Sequence, residues 1–427
     1  MRLGFVSTRF AGLDGVSLEA AKWAAIYRRL GHEVVYCAGE RDAAAEPGCT
    51  VPEMHFAHPT VRALQRAAFG PEPPEPGWRD ALTRLAQRLR RAVREFLDAF
   101  QVDVLIIENA LAIPMNVALG MALHQVLAET GIPAVGHHHD FYWERARFRA
   151  NRISDILEAS FPPALPNLRH VVINTLAQRA LHQRRGITSV VVPNVWDFRQ
   201  AAAGLDEVGR GVRPALGLGP RDLLVLQPTR VIPRKGIEHA VDLVAALNRH
   251  PRGLHGYRAV LVISHPAGDE GFDYLRTLEA RARDAGVPLL YAAARFGPRR
   301  GHGPHGPVFS LADAYLAADF ITYPSLYEGF GNAFLEAVYY RLPLLVNRYP
   351  VYDADIRPKG FDVVEMNGAI TPAVVDAARD VLLDPVRRRA MTEWNYARGW
   401  VHFSYEAIEP TLRALLTPQP LSAARSL

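Results

Sequence analysis

Tyr323-Pro-Ser-Leu-Tyr-Glu-Gly-Phe-Gly-Asn-Ala-Phe-Leu-Glu336 is the stretch on which the fold turns. An apolar run ends at Tyr323, where Pro324 stops a strand. The loop that follows carries Glu328, Gly329 and Gly331, and a helix starts near Asn332 with Glu336 about one turn in. A helix N-terminus presents unpaired N–H groups and the positive end of the dipole, so it can hold a pyrophosphate. Glycines let the backbone approach closely. Glu336, directed back toward the helix start, can accept hydrogen bonds from a ribose diol, and Glu328 is placed to bind sugar hydroxyls. The plain alternative is a strand-to-helix turn with two solvated acids. Two glutamates eight apart are common by chance, but the whole string is much rarer.

Outward from this stretch, strand and helix patterns alternate in both directions. On its N-terminal side the runs Leu223–Gln227, Ala259–Ser264 and Leu289–Ala292 read as strands, Phe320–Tyr323 ends the quoted one, and Leu344–Val346 follows it. A first series has strands at Leu3–Val6, Glu33–Cys37, Val102–Ile107, Pro133–Gly136, Val171–Ile173 and Val190–Val192, with a helix at about Leu18–Leu30 stopped by Gly31. Gly70–Trp78 reads as a Pro- and Glu-rich surface loop, Gly204–Gly219 as a linker and Gly297–Pro307 as a loop. Two consecutive βα arrays predict two doubly wound α/β domains, at 1–200 and 201–400, and a tail at 401–427. A length of 427 residues suits two such domains.

Three further stretches carry chemistry. Gln227-Pro-Thr-Arg-Val-Ile-Pro-Arg-Lys-Gly236 follows the first strand of the second array. Ligands bind at that end of an open α/β sheet, and Arg230 and Lys235 can neutralise a leaving diphosphate. Lys235 is one of only three lysines in an arginine-rich chain. Gly136-His-His-His-Asp-Phe-Tyr-Trp143 tempts a metal reading. Adjacent strand residues face opposite ways, however, and no Cys or Glu partner has suitable spacing, so no metal site is expected. A His139-Asp140 pair contacting substrate hydroxyls reads better, with a buried structural histidine as its alternative. Gly12-Leu-Asp-Gly-Val16 is a weak glycine loop and not the Gly-x-Gly-x-x-Gly fingerprint, which counts against a dehydrogenase.

The net charge of +5 suggests an anionic partner. A nucleic-acid binder would need a basic stripe with aromatic platforms, which is absent. The dense run Arg84, Arg88, Arg90, Arg91 and Arg94 reads as a solvated helix face. Cys37 and Cys49 read as free thiols in a reducing compartment, and no signal-peptide core precedes Arg9. The uncharged stretch Asn109–Ala128 reads as a buried helix and not a membrane span. A cytoplasmic enzyme is expected, with peripheral contact at an anionic membrane as one option.

Taken together, these stretches resemble the family-4 retaining glycosyltransferases of the GT-B fold, in the family's order and over nearly the whole chain. The resemblance implies two Rossmann-like domains facing a central cleft, with the tail packing back on the first. It implies nucleotide-sugar binding by Gly15, Gly329, Phe330, Gly331, Asn332 and Glu336, and catalytic roles for His139, Arg230, Lys235 and Glu328. His139 would contact the donor sugar, and Glu328 would bind it, with attack on the face from which the diphosphate departs. The implied reaction moves a hexose, glucose or mannose, from a UDP or GDP sugar to a small sugar or polyol, with retention and with neither metal nor other cofactor. Arg145, Arg147 and Arg149 suit an anionic acceptor if they line the site. Asp353-Ala-Asp355 resembles the metal motif of the other major glycosyltransferase fold, a coincidence in this context. The sequence departs from the family at Glu108-Asn109, where a histidine is common, at His137 and His138, and at the Pro-Thr before Arg230. A nucleotide-sugar epimerase and a non-catalytic binder are the rival readings. The oligomeric state is not read.

Overall fold

Runs of Val, Ile and Leu bounded by turn residues become strands covered on both faces, the pattern of a parallel sheet. The computed structural model describes residues 1–12, 14–42, 46–268, 270–304 and 306–417. The chain divides into two units: Met1–Asn194 together with the chain from Ile408, and Val195–Ala407. The end of the predicted tail, 418–427, lies outside the described residues.

The first unit holds β1 (Arg2–Ser7), β2 (Glu33–Ala38), β3 (Gly48–Thr50), β4 (Val104–Glu108), β5 (Ala134–His138), β6 (Leu168–Val172) and β7 (Ser189–Val191). Their order is β3-β2-β1-β4-β5-β6-β7, and every pairing is parallel. Helix Trp78–Phe100 buries Leu82, Leu85, Leu89, Val93 and Phe96, spaced three and four apart, on one stripe. They pack in one core with Leu105 and Ile107 of β4 and with Leu119, Leu123 and Val126 of helix Val117–Thr130. Arg84, Arg88, Arg91 and Arg94 lie on the solvent side of that helix, where Arg90 and Arg94 pair with Glu129 at 2.5 and 3.3 Å. The apolar stretch from Asn109 is divided. Asn116 caps the second helix by accepting from Leu119 N at 3.2 Å, so the residues before it form a loop. Among the described residues no helix is long and apolar enough to cross a membrane.

The second unit repeats the plan with β8 (Asp222–Gln227), β9 (Arg258–Ile263), β10 (Leu289–Tyr291), β11 (Phe296–Gly297), β12 (Gly301–Gly303), β13 (Gly306–Ser310), β14 (Phe320–Tyr323), β15 (Leu344–Asn347) and β16 (Val364–Met366). The main sheet is β10-β9-β8-β14-β15-β16, again parallel throughout. The strand order therefore reverses between β1 and β4 in one unit, and between β8 and β14 in the other. Loops leaving the carboxyl ends of strands at such a reversal form a ligand crevice.

Three expectations need correction. The Gly297–Pro307 loop and the 204–219 linker are folded: β11–β13 make a small sheet, and Glu207–Arg210 and Val212–Ala215 are short helices. Arg300 fastens them by ion pairs to Asp206 (2.6 Å) and Asp313 (2.5 Å). The units change over at 194/195 and 407/408, not at 200/201 and 400/401. The reason is that residues 195–200 belong to the second unit's packing. Trp196 N donates to Phe403 O at 2.8 Å, and Tyr396 Oη and Tyr339 Oη donate to the carbonyls of Phe198 and Gln200, each at 2.8 Å. The edge strands β3 and β16 have no counterpart in the sequence reading.

Candidate functional site

In the second unit, both signature loops leave the strand-order reversal. After β8, Pro233–Lys235 forms a single 3₁₀ turn, and Gly236 at φ +59° passes the chain into helix Ile237–Asn248. After β14, residues 324–331 run to helix Asn332–Tyr339. The two loops touch. Leu326 N donates to Arg234 O at 2.9 Å, and a Cβ on Gly236 would stand 2.5 Å from Pro324 O. Only glycine fits there, for its positive φ and for the close approach.

This contact brings Lys235 and Glu328, distant in sequence, into a buried ion pair between Nζ and Oε1, each residue 8% exposed. Arg234 holds the other carboxylate oxygen at 3.1 Å and donates to Tyr327 O at 3.0 Å. Burial pushes the Glu328 carboxyl up, but Lys235 and Arg234 outweigh it and hold it below the usual range. Burial lowers the Lys235 ammonium more than Glu328 raises it. Arg230 is exposed at the strand end. Sequence reading missed Arg234, and also His265, which follows β9. The His265 pKa is pushed down to about 4 by burial and by the nearby charges of Lys235 and Arg230, so it is a neutral imidazole beside two cations. Its only signal in the sequence is its place just beyond a strand end.

Glu336 accepts a hydrogen bond from Tyr315 Oη, and Tyr315 stacks on Tyr340 at 5.1 Å. Phe330 is buried edge-on against Phe403 at 5.2 Å. Its carbonyl accepts from Tyr349 Oη at 2.6 Å. Gly331 at φ +135° begins the turn into Asn332, with Gly329 partly exposed two residues before. Asp353 is gripped in bidentate fashion by Arg348 at 2.9 and 3.1 Å, an ion pair and not an open metal ligand.

The first unit has its own cluster at the reversal between β1 and β4. Gly15 opens helix Gly15–Arg29, but Asp14 caps it, accepting from Val16 N and Ser17 N at 3.1 Å each. Those two N–H groups are thus satisfied from within the chain. Glu108 ends β4, and its Oε2 lies 3.0 Å from His137 Nδ1 and 3.4 Å from His139 Nε2. Asn109 braces the next turn: its Oδ1 accepts from His139 N at 3.0 Å and its Nδ2 donates to Asp140 Oδ1 at 2.9 Å. His137 stacks on Trp23 at 4.0 Å, and His138 faces the other way onto His170, Nε2 to Nδ1 2.9 Å. The carboxyl of Glu108 is pushed up by burial but held low overall by His137 and His139.

The expectation that no Glu has a spacing suited to these histidines is therefore corrected, because Glu108 lies beside two of them. β4 and β5 are neighbours in register, Glu108 opposite His137, and residues two apart on a strand share a face. Glu108, His137 and His139 each offer one ligand atom, all within 4.8 Å of one another, and among the described residues they form a group that could hold a metal. Two of the three arginines after this cluster have partners within the first unit. Arg145 is committed to Asp140 (2.6 Å), and Arg147 donates to Met115 Sδ (2.8 Å).

Comparison with known proteins fits this geometry. The profile of Glycosyltransferase Family 4 matches residues 14–200. The chain is 34% identical over 381 residues to mannosylglucosylglycerate synthase of Petrotoga mobilis, covering 86% of each. It is 33% identical to the synthase of the same name from Thermotoga maritima, covering 98% of this chain and 100% of that one. HepE of Anabaena, solved with UDP and glucose, shares the fold with a TM-score of 0.64 at 14% identity, over 97% of this chain and 99% of that one.

Proposed function

Because the chain belongs to glycosyltransferase family 4, we propose that it transfers a mannosyl group from a nucleoside diphosphate sugar to a hydroxyl of glucosylglycerate, with retention of the anomeric configuration. The donor lies on the second unit's loops. Arg230 and Lys235 face the diphosphate, Glu336 accepts from the ribose, and Glu328 with Gly329–Asn332 takes the sugar. The acceptor oxygen bonds to the anomeric carbon as the bond from that carbon to the phosphate oxygen breaks. The acceptor proton passes to the departing oxygen on the same face. Fixed cations balance the charge that develops on the diphosphate, so no metal is needed.

The observation that carries this reading is the buried Lys235–Glu328 pair, closed by Arg234, at the strand-order reversal. The acceptor rests on the two mannosylglucosylglycerate synthases, which align with 86% and 98% of this chain. A glycerate carboxylate also suits a chain of net charge +5.

The test incubates the protein with GDP- and UDP-linked mannose and glucose, with and without glucosylglycerate, and reads the anomeric configuration of the product by the one-bond carbon–proton coupling at C1. A new α-linked mannoside that forms only with acceptor supports the proposal. Sugar interconversion without acceptor would establish the epimerase instead, and an inverted product would remove same-face attack.

A further inference from the structure

β2 and β3 run parallel at one edge of the first unit's sheet, in a register that sets Cys37 directly against Cys49. Neighbouring strands lie about 4.8 Å apart, within the Cα separation of about 4.4–6.8 Å that a disulfide spans. The two sulfurs are 3.2 Å apart. Closing them to a bond of about 2.05 Å needs about 1 Å of side-chain movement and no change of register.

The two thiols differ. Cys37 is buried, its sulfur 3.7 Å from Met54 Sδ, whereas Cys49 is partly exposed. Arg41 folds over β3, donating to Glu46 O at 3.0 Å and to Thr50 Oγ1 at 3.1 Å. The hydrogen bond with Cys37 and the charge of Arg41 hold the Cys49 thiol below the usual cysteine range. The same hydrogen bond, with burial, raises Cys37 well above it. The nucleophilic thiolate therefore forms on Cys49, the more exposed residue of the two.

We propose that Cys37 and Cys49 are a reversible disulfide site closed by peroxides. The Cys49 thiolate attacks one peroxide oxygen, the O–O bond breaks, hydroxide or alkoxide leaves, and Cys49 becomes a sulfenic acid. The Cys37 thiol then attacks that sulfur, the sulfenic oxygen leaves as water, and the S–S bond forms. The two thiols give up two electrons, which reduce one peroxide. A dithiol reductant reverses the bond by exchange. The closed bond ties β2 to β3, and the residues that follow β2 carry its effect onward. Glu40 and Asp42, just after β2, hold the first glycine loop, through Phe10 N to Glu40 O (2.8 Å) and Gly12 N to Asp42 Oδ2 (2.6 Å). The proposal is independent of sugar transfer.

The test treats the reduced full chain with hydrogen peroxide, quenches it, and counts thiols after denaturation alongside the intact mass. Loss of both thiols, a mass fall of about 2 Da for two hydrogens, a Cys37–Cys49 linked peptide and full recovery in dithiothreitol are expected. In C37S, dimedone should trap Cys49 as the sulfenic acid, while in C49S the remaining thiol should resist. Persistence of both wild-type thiols under peroxide that sulfenylates C37S overturns the proposal. So does passage of Cys49 to the sulfinic acid with Cys37 intact, or a crosslink between chains.

Discussion

Lys235 and Glu328 are each what the other needs to be buried. An ammonium or a carboxylate left alone at 8% exposure would be an uncompensated charge. Lys235→Ala should lower kcat about 100-fold or more, as loss of a group that stabilises a leaving anion does. It should also lower stability by up to about 3 kcal/mol, because Glu328 is left with Arg234 as its remaining cation. Turnover near wild type in a folded variant would make the pair structural only. Glu336→Ala should weaken nucleotide binding about tenfold, close to one charged hydrogen bond. Calorimetry with the diphosphate checks this, and unchanged affinity would remove the ribose role. Transfer should survive excess chelator. Loss that a divalent ion restores, and that Glu108→Gln abolishes, would instead assign Glu108, His137 and His139 to a metal. The sequence stretch beginning at Tyr323 made Glu328 and Glu336 visible, because a strand end, glycines and a helix start are all local signals. The partnership of Glu108 with the histidines was not visible. It depends on β4 lying beside β5, which no local pattern states.

At the scale of the element, the two donor loops work as one because Gly236 lets them touch. Gly236→Ala must shift the chain, since its Cβ would stand 2.5 Å from Pro324 O on a backbone at φ +59°. The melting temperature should fall, and the loss of turnover should exceed the loss of nucleotide affinity, because Lys235 moves with the turn. Differential scanning calorimetry and kcat measurements separate the two effects. A neutral substitution would mean the contact is not needed. Elements with strong apolar runs were legible to within a few residues: β14 begins and ends as its pattern predicts, and β8 differs by one residue at its start. The three-residue strands β3 and β16, and the small sheet β11–β13, were not. Gly-Cys-Thr or a Gly- and Pro-rich loop has too little periodicity to declare itself, and these strands exist only because a neighbour accepts their hydrogen bonds.

For the whole molecule, the buried neutral histidines set a pH dependence. Burial lowers His138 well below 6.5, and lowers His170 and His265 to about 4. The folded chain therefore keeps them neutral while the unfolded chain protonates near 6.5. The stability they allow is complete above pH 6.5 and is lost as pH falls from there toward 4. Glu108, held low in the fold, adds a further loss below its ordinary value of 4.5. The melting temperature should fall steadily between pH 7 and pH 4, and a flat profile would contradict these burials. The sequence by itself determined the alternation of strands and helices, the two parallel arrays, and the loops in which Arg230, Lys235, Glu328 and Glu336 stand. Those follow from periodicity, proline and glycine, which act over a few residues. Tertiary structure alone decided which distant side chains became partners: Lys235 with Glu328, Glu108 with His137 and His139, Cys37 with Cys49. Each pairing is fixed by strand order and register, and those are settled by the packing of whole sheets against helices rather than by any single stretch of chain.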